Sequence, residues 1–115
     1  MIPHRVRVSG RAGARLKYLK SKTGLTPNIL SRIAFVLSAR DLRRVAQVSS
    51  ELDGQEFNAP TLFGEHQRAY ELLLAKYLRA SKDDREISTV IASHIENGLH
   101  KMGHARSLQD IVALQ

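Results

Sequence analysis

Arg5, Arg7, Arg11, Arg15, Lys17, Lys20 and Lys22 place seven cations in the first fifth of a 115-residue chain. Through Arg44 there are eleven bases against one acid, Asp41, a net +10, while the remainder carries seven bases and ten acids, a net −3. Such a segment holds too few carboxylates for local salt bridges to neutralise it, so it reads as more than a solvated face. Its chemistry is attraction of a polyanion, with nucleic acid the first candidate. Each phosphate neutralised releases about one condensed counterion, so a handful of contacts already makes binding steeply salt-dependent. Aromatic interleaving is sparse, since only Tyr18 lies among these bases. A single-strand stacking platform needs several exposed rings, so a grip on the duplex backbone fits better.

Catalytic and metal chemistry find little purchase. There is no cysteine, hence no disulfide framework and no thiolate metal site. Neither a glycine-rich phosphate loop nor a nucleophile elbow is present. Asp83, Asp84 and Glu86 are explained by a helix start, where acids complement the dipole. His100 and His104 have the four-residue spacing of paired imidazole ligands, but Gly103 sits between them and no acid clearly shares their face. With Lys101 and Arg106 they extend the cationic surface. His66 and His94 lie on or beside apolar helix stripes and read as partly buried polar residues. The expectation is a non-enzyme with no metal and no cofactor.

The elements that must position the cations follow from periodicity. Arg5-Val6-Arg7-Val8 alternates as a short half-buried strand, valines inward and arginines outward. Ala12, Leu16 and Leu19 recur at helical spacing, predicting a helix over Arg11–Thr23, capped by Ser9 or Gly10 and ended by Gly24. Thr26-Pro27 pairs a hydroxyl N-cap with proline at the first helical position. It starts an almost wholly apolar second helix, Pro27 to Ser38, expected at the centre of the core. Capping-box spacing of Ser38 and Asp41 predicts a short helix over 40–48, with 49–59 a loop. Longer helices are expected over 61–79 and 84–102, and Ser107 caps a last short one. The fold class is mainly α, about five helices with a short N-terminal β-strand, in one domain spanning 1–115. Its basic β-α-α segment covers 4–38 and a helical remainder 39–115. No apolar run approaches the roughly 18 residues that cross a bilayer, and no hydrophobic stretch follows Met1-Ile2-Pro3-His4-Arg5. The chain therefore reads as soluble and cytoplasmic, with no membrane partner.

A lone strand needs a partner, most simply the same strand of a second copy. Two such strands flanked by helix pairs would be the plan of ribbon–helix–helix proteins, which read DNA with outward strand residues. On that plan Arg5 and Arg7 enter a groove, and Thr26 and Asn28 at the second helix's N-terminus seat a phosphate. An operator-reading repressor, a small nickase and a protein-binding scaffold stand beside a sequence-tolerant backbone binder as alternatives.

Two stretches are more specific than composition. Lys20-Ser21-Lys22-Thr23-Gly24-Leu25-Thr26-Pro27-Asn28-Ile29-Leu30-Ser31-Arg32-Ile33-Ala34 is one, and Asp53-Gly54-Gln55-Glu56-Phe57-Asn58 with Leu62-Phe63-Gly64-Glu65 the other. Both resemble the DNA sulfur-modification family DndE, as does the ending from His94 to Leu108. The resemblance covers most of the chain. It implies a bacterial DNA phosphorothioation system, in which sulfur replaces a non-bridging backbone oxygen while separate chains supply desulfurase, iron–sulfur and ATPase functions. It further implies a small homotetrameric DNA-binding subunit that prefers nicked duplex through surface lysines and partners the other subunits of the system. Lys17, Lys20 and Lys22 then become the leading contacts, Lys17 lying just outside the matched segment. Where the family carries an acidic, proline-containing linker, this chain has Ala39-Arg40-Asp41-Leu42-Arg43-Arg44.

Overall fold

Ser9 opens the first helix by accepting the Ala12 N–H on its hydroxyl at 3.0 Å, and Thr26 opens the second by accepting from Ile29 at 3.3 Å. These caps satisfy backbone donors that a helix start otherwise leaves orphaned. In the computed structural model, which describes residues 2–47, 49–103 and 105–114, the order is β1 (Arg5–Arg7), α1 (Gly10–Thr23), α2 (Pro27–Ala39), β2 (Glu56–Asn58), α3 (Ala59–Phe63), a 3₁₀ turn (Gly64–His66), α4 (Gln67–Ser81), α5 (Ile87–Lys101) and α6 (Leu108–Val112). Gly24 ends α1 at φ 77°, where a side chain would be strained, and its N–H bonds the Lys20 carbonyl at 2.9 Å.

α2 forms the centre, packed on α1, α3, α4 and most extensively on α5. Leu30, Ala34, Phe35 and Leu37 are buried on it. Gly98 of α5 meets the Ala34 carbonyl so closely that a Cβ would collide, so the two backbones touch. The Phe35 ring stands edge-on to Phe63, Tyr70 and His94, with centroids 5.8, 6.1 and 5.6 Å away.

Strand pairing departs from expectation. β1 is satisfied within its own chain by antiparallel pairing to β2, with Arg5 opposite Asn58, Val6 opposite Phe57 and Arg7 opposite Glu56. Val8 and His4 extend the ladder to Gln55, Gly54 and Ala59. Residues 49–59 are thus not all loop, because Phe57 turns inward against Val6 while Glu56 and Asn58 stay exposed. The short helix expected over 40–48 does not form across 40–47; Val48 lies outside the described residues. Leu42 adopts φ 59°, a left-handed conformation costing about 1–2 kcal/mol. Both backbone groups of Val45 are claimed from outside: its N–H donates to Tyr77 Oη at 3.0 Å and its carbonyl accepts from Arg85 Nη2 at 2.5 Å. Neither is left for a helix. The helix expected over 61–79 is broken at Gly64, φ 61°, and Arg32 covers the freed Thr61 and Leu62 carbonyls.

Two further readings change. Asp83 does not serve a helix terminus; it is buried against Arg85 and Tyr77. His66 is exposed, with 71% of its side chain accessible, whereas His94 is fully buried, its Nδ1 2.6 Å from Ser38 Oγ. Asn97 donates to the same hydroxyl at 2.9 Å. Burial lowers the His94 pKa to about 4, so the folded state refuses a proton that the unfolded chain accepts near 6.5. The stability this confers is complete above about 6.5 and declines towards pH 4, by roughly 3 kcal/mol in all. Urea unfolding at pH 7.5 and 5 should show that decline in the native protein and a shallower one in His94→Asn.

Candidate nucleic-acid interface

On α1, with 3.6 residues per turn, the buried stripe Ala12, Leu16 and Leu19 divides the cations into two sets. Arg11, Arg15 and Lys22 follow one shoulder of the exposed face with Tyr18 among them, Lys22 Nζ lying 5.7 Å from the Tyr18 ring centre. Lys17 and Lys20 occupy the opposite shoulder, with the small Ala14 and Ser21 on the crest between. The helix contains no acid. Among the described residues, no carboxylate lies within 4.0 Å of the basic groups of Arg11, Arg15, Lys17, Lys20 or Lys22. Lys20 and Lys22 fall in the last turn, where the helix dipole favours cations.

The strand arginines sit differently. Arg5 and Arg7 both reach Glu56 across the ladder, at 3.2 and 3.5 Å, and Arg7 also donates to the Gly54 carbonyl at 3.0 Å. One carboxylate shared by two guanidiniums leaves a net single charge, exposed but partly answered. Thr26 Oγ is occupied by the Ile29 N–H, so the hydroxyl already has a partner within its own helix start, beside Asn28. Lys101 is also tied down, 2.7 Å from Asp41 and 3.2 Å from the Leu37 carbonyl. That ammonium holds the Asp41 carboxyl below its usual range. Arg40 reaches the Leu114 carbonyl at 3.3 Å, while Arg43 and Arg44 are exposed. Of the His100–His104 pair, His104 lies outside the described residues; among those described, no three acids or histidines gather as a metal would require.

Sequence reasoning missed the groove where α1 meets α5. It is lined by Arg11, Ala12, Arg15, Glu96, Asn97, Leu99 and His100 and encloses about 470 Å³. The spacing of Glu96 and His100 puts them on one helical face, but periodicity alone does not say which face of α1 they oppose.

Fold and surface together define a small helical protein with a two-strand clip, whose first helix displays cations without acids. A family model for DNA sulphur modification protein DndE matches residues 5–110, and the chain belongs to the DndE family, which takes part in DNA phosphorothioation. The crystal structure of DndE from Escherichia coli B7A, involved in DNA phosphorothioation modification, is 33% identical with a TM-score of 0.74, covering 89% of this chain and 98% of that one. A DndE variant with two glycines replaced by lysine is 31% identical with a TM-score of 0.70, covering 89% and 99%. No curated protein matches.

Proposed function

We propose that this chain is a non-catalytic DNA-binding subunit of a phosphorothioation system, gripping the phosphate backbone of duplex DNA and preferring nicked duplex. The observation that carries the reading is α1: five cations on one exposed helix, each without an ionic partner among the described residues. Lys17, Lys20 and Lys22 are its principal contacts, with Arg11 and Arg15 on the shoulder that Lys22 shares. Arg5, Arg7, Thr26 and Asn28 flank them in supporting roles. A nicked duplex bends and unstacks at one step for little energy, so a protein that demands deformed DNA gains on it relative to intact duplex. The subunit acts in the cytoplasm as a homo-oligomer, a tetramer by likeness to its family, alongside the other subunits of the system. A ribbon–helix–helix repressor would need β1 paired between copies, and β1 is already paired to β2.

An electrophoretic shift with nicked, intact and single-stranded probes at two salt concentrations tests the reading. Nicked duplex should bind tightest, and every affinity should fall steeply with salt. Equal affinities for all three probes would remove the nick preference, and a salt-independent complex would remove the backbone grip.

A further inference from the structure

The α1–α5 groove has a direction. Ser9, the cap of α1, bonds Glu96 at 2.5 Å, and Arg15, farther along α1, lies over Gly103 beyond the end of α5 so closely that a Cβ there would collide with its guanidinium. The two helices therefore run the same way, and the groove passes from a Glu96 end to an Arg15 end. Arg11 and Arg15 stand one turn apart along one wall, and His100 and Asn97 belong to the other. A second depression, lined by Arg11, Ala14, Arg15, Tyr18 and Gly103, continues the groove onto the outer face of α1.

Glu96 does not neutralise these arginines. Its two oxygens are held by serine hydroxyls, Ser9 at 2.5 Å and Ser49 at 2.9 Å, and among the described residues no guanidinium is within ion-pair distance. The groove thus carries two guanidiniums and an imidazole, with a fixed anion at one end. A continuing phosphodiester strand would run its next phosphate onto that carboxylate. A strand that terminates in the groove meets no such repulsion. A terminal phosphomonoester also carries more charge than a diester and three free oxygens, which suits two guanidiniums and an imidazole.

We infer that this groove seats a nucleotide's terminal 5′-phosphate, supplied by the end of a DNA strand, between Arg11, Arg15 and His100. Tyr18, 42% exposed, offers a face for the terminal base where the groove opens. The Arg15 guanidinium resting on Gly103 is already placed, so less side-chain freedom is lost on binding. This rests on the DNA-binding reading, and the experiment separates the two.

Nicked duplexes differing only in a 5′-phosphate or 5′-hydroxyl at the nick are titrated beside intact duplex, with free deoxyadenosine 5′-monophosphate as a further probe. The native protein should favour the 5′-phosphate nick by about tenfold or more, the scale of one charge-assisted hydrogen bond. His100→Gln should shrink that ratio while leaving affinity for intact duplex within about threefold, because the side chain lies outside the core. Glu96→Gln should instead raise affinity for intact duplex, whose continuing strand no longer meets a carboxylate, while the preference between the two nicks persists. Equal binding of both nicks by the native protein overturns the groove assignment and leaves the DNA-binding reading intact. Failure to bind any duplex, with the free monophosphate still bound and lost in His100→Gln, keeps the phosphomonoester site and overturns the strand-end source. Binding of neither probe overturns both.

Discussion

Changing Lys17, Lys20 and Lys22 together to alanine should lower affinity for nicked duplex by roughly a hundredfold at 0.15 M salt, and flatten the salt dependence by up to about three units of slope. Each backbone contact contributes about 0.9 to the slope of log K against log salt, and three such terms, carried from 1 M down to 0.15 M, give that factor. The substitutions spare the fold. All three side chains are exposed, the buried stripe of α1 lies elsewhere, and alanine is the best helix former. The cost to α1 is a few tenths of a kcal/mol from the lost dipole interaction in its last turn. Arg5→Ala with Arg7→Ala provides the contrast. Those guanidiniums share Glu56, so their removal deletes two cations but uncovers one anion, and the slope should change by about one unit. Titrations at several salt concentrations check both. A triple variant with the native slope would return the three lysines to ordinary solvation.

Legibility of this molecule tracks sequence distance. The start and end of α1 and the start of α2 are written locally, in Ser9, Gly24 and Thr26-Pro27, and they form where those residues predict. The apolar wrap of α2 likewise announces a central helix. The errors occur where a residue's partner is remote. β1 and β2 are 51 positions apart at Arg5 and Glu56, and β2 offers one inward side chain, Phe57, within a polar run that resembles a loop. The turn over 40–47 carries a capping-box pattern that would support a helix. Tyr77 and Arg85 outbid it by taking both backbone groups of Val45. The cation-rich helix was visible because charge counts need no partner. The division of its cations into two shoulders follows from the buried stripe and was half visible. The groove behind Arg11 and Arg15 needed the packing of α5, and a serine's claim on Glu96 has no signature in composition or period.

That same remote clamp carries the largest expected loss of stability, in Asp83→Ala. Asp83 Oδ2 accepts from Tyr77 Oη at 2.7 Å and from Arg85 Nη2 at 2.6 Å, while Oδ1 accepts from Arg85 Nε at 2.9 Å and the Arg85 N–H at 3.2 Å. Its side chain is fully buried and that of Arg85 is 18% exposed. Truncation leaves a largely buried guanidinium without its counter-ion and the Tyr77 hydroxyl proton without its acceptor, a loss of about 3–5 kcal/mol. In a domain whose total stability is on the order of 5–15 kcal/mol, much of the folded population is then at risk. The Arg85 guanidinium, helped by the Tyr77 hydroxyl, holds the Asp83 carboxyl far below the usual carboxylate range. A depressed carboxylate stabilises above its unfolded pKa of about 4 and loses that contribution as pH falls. Chemical unfolding should therefore place Asp83→Ala well below the native protein at pH 7, with the gap narrowing in acid. The origin of the loss is decided by adding Arg85→Met. If the unpaired charge is what destabilises, the double variant recovers much of the stability, because replacing a whole buried ion pair with apolar groups is often neutral. If it recovers nothing, the loss lies in the anchoring of Val45, whose carbonyl Arg85 also holds.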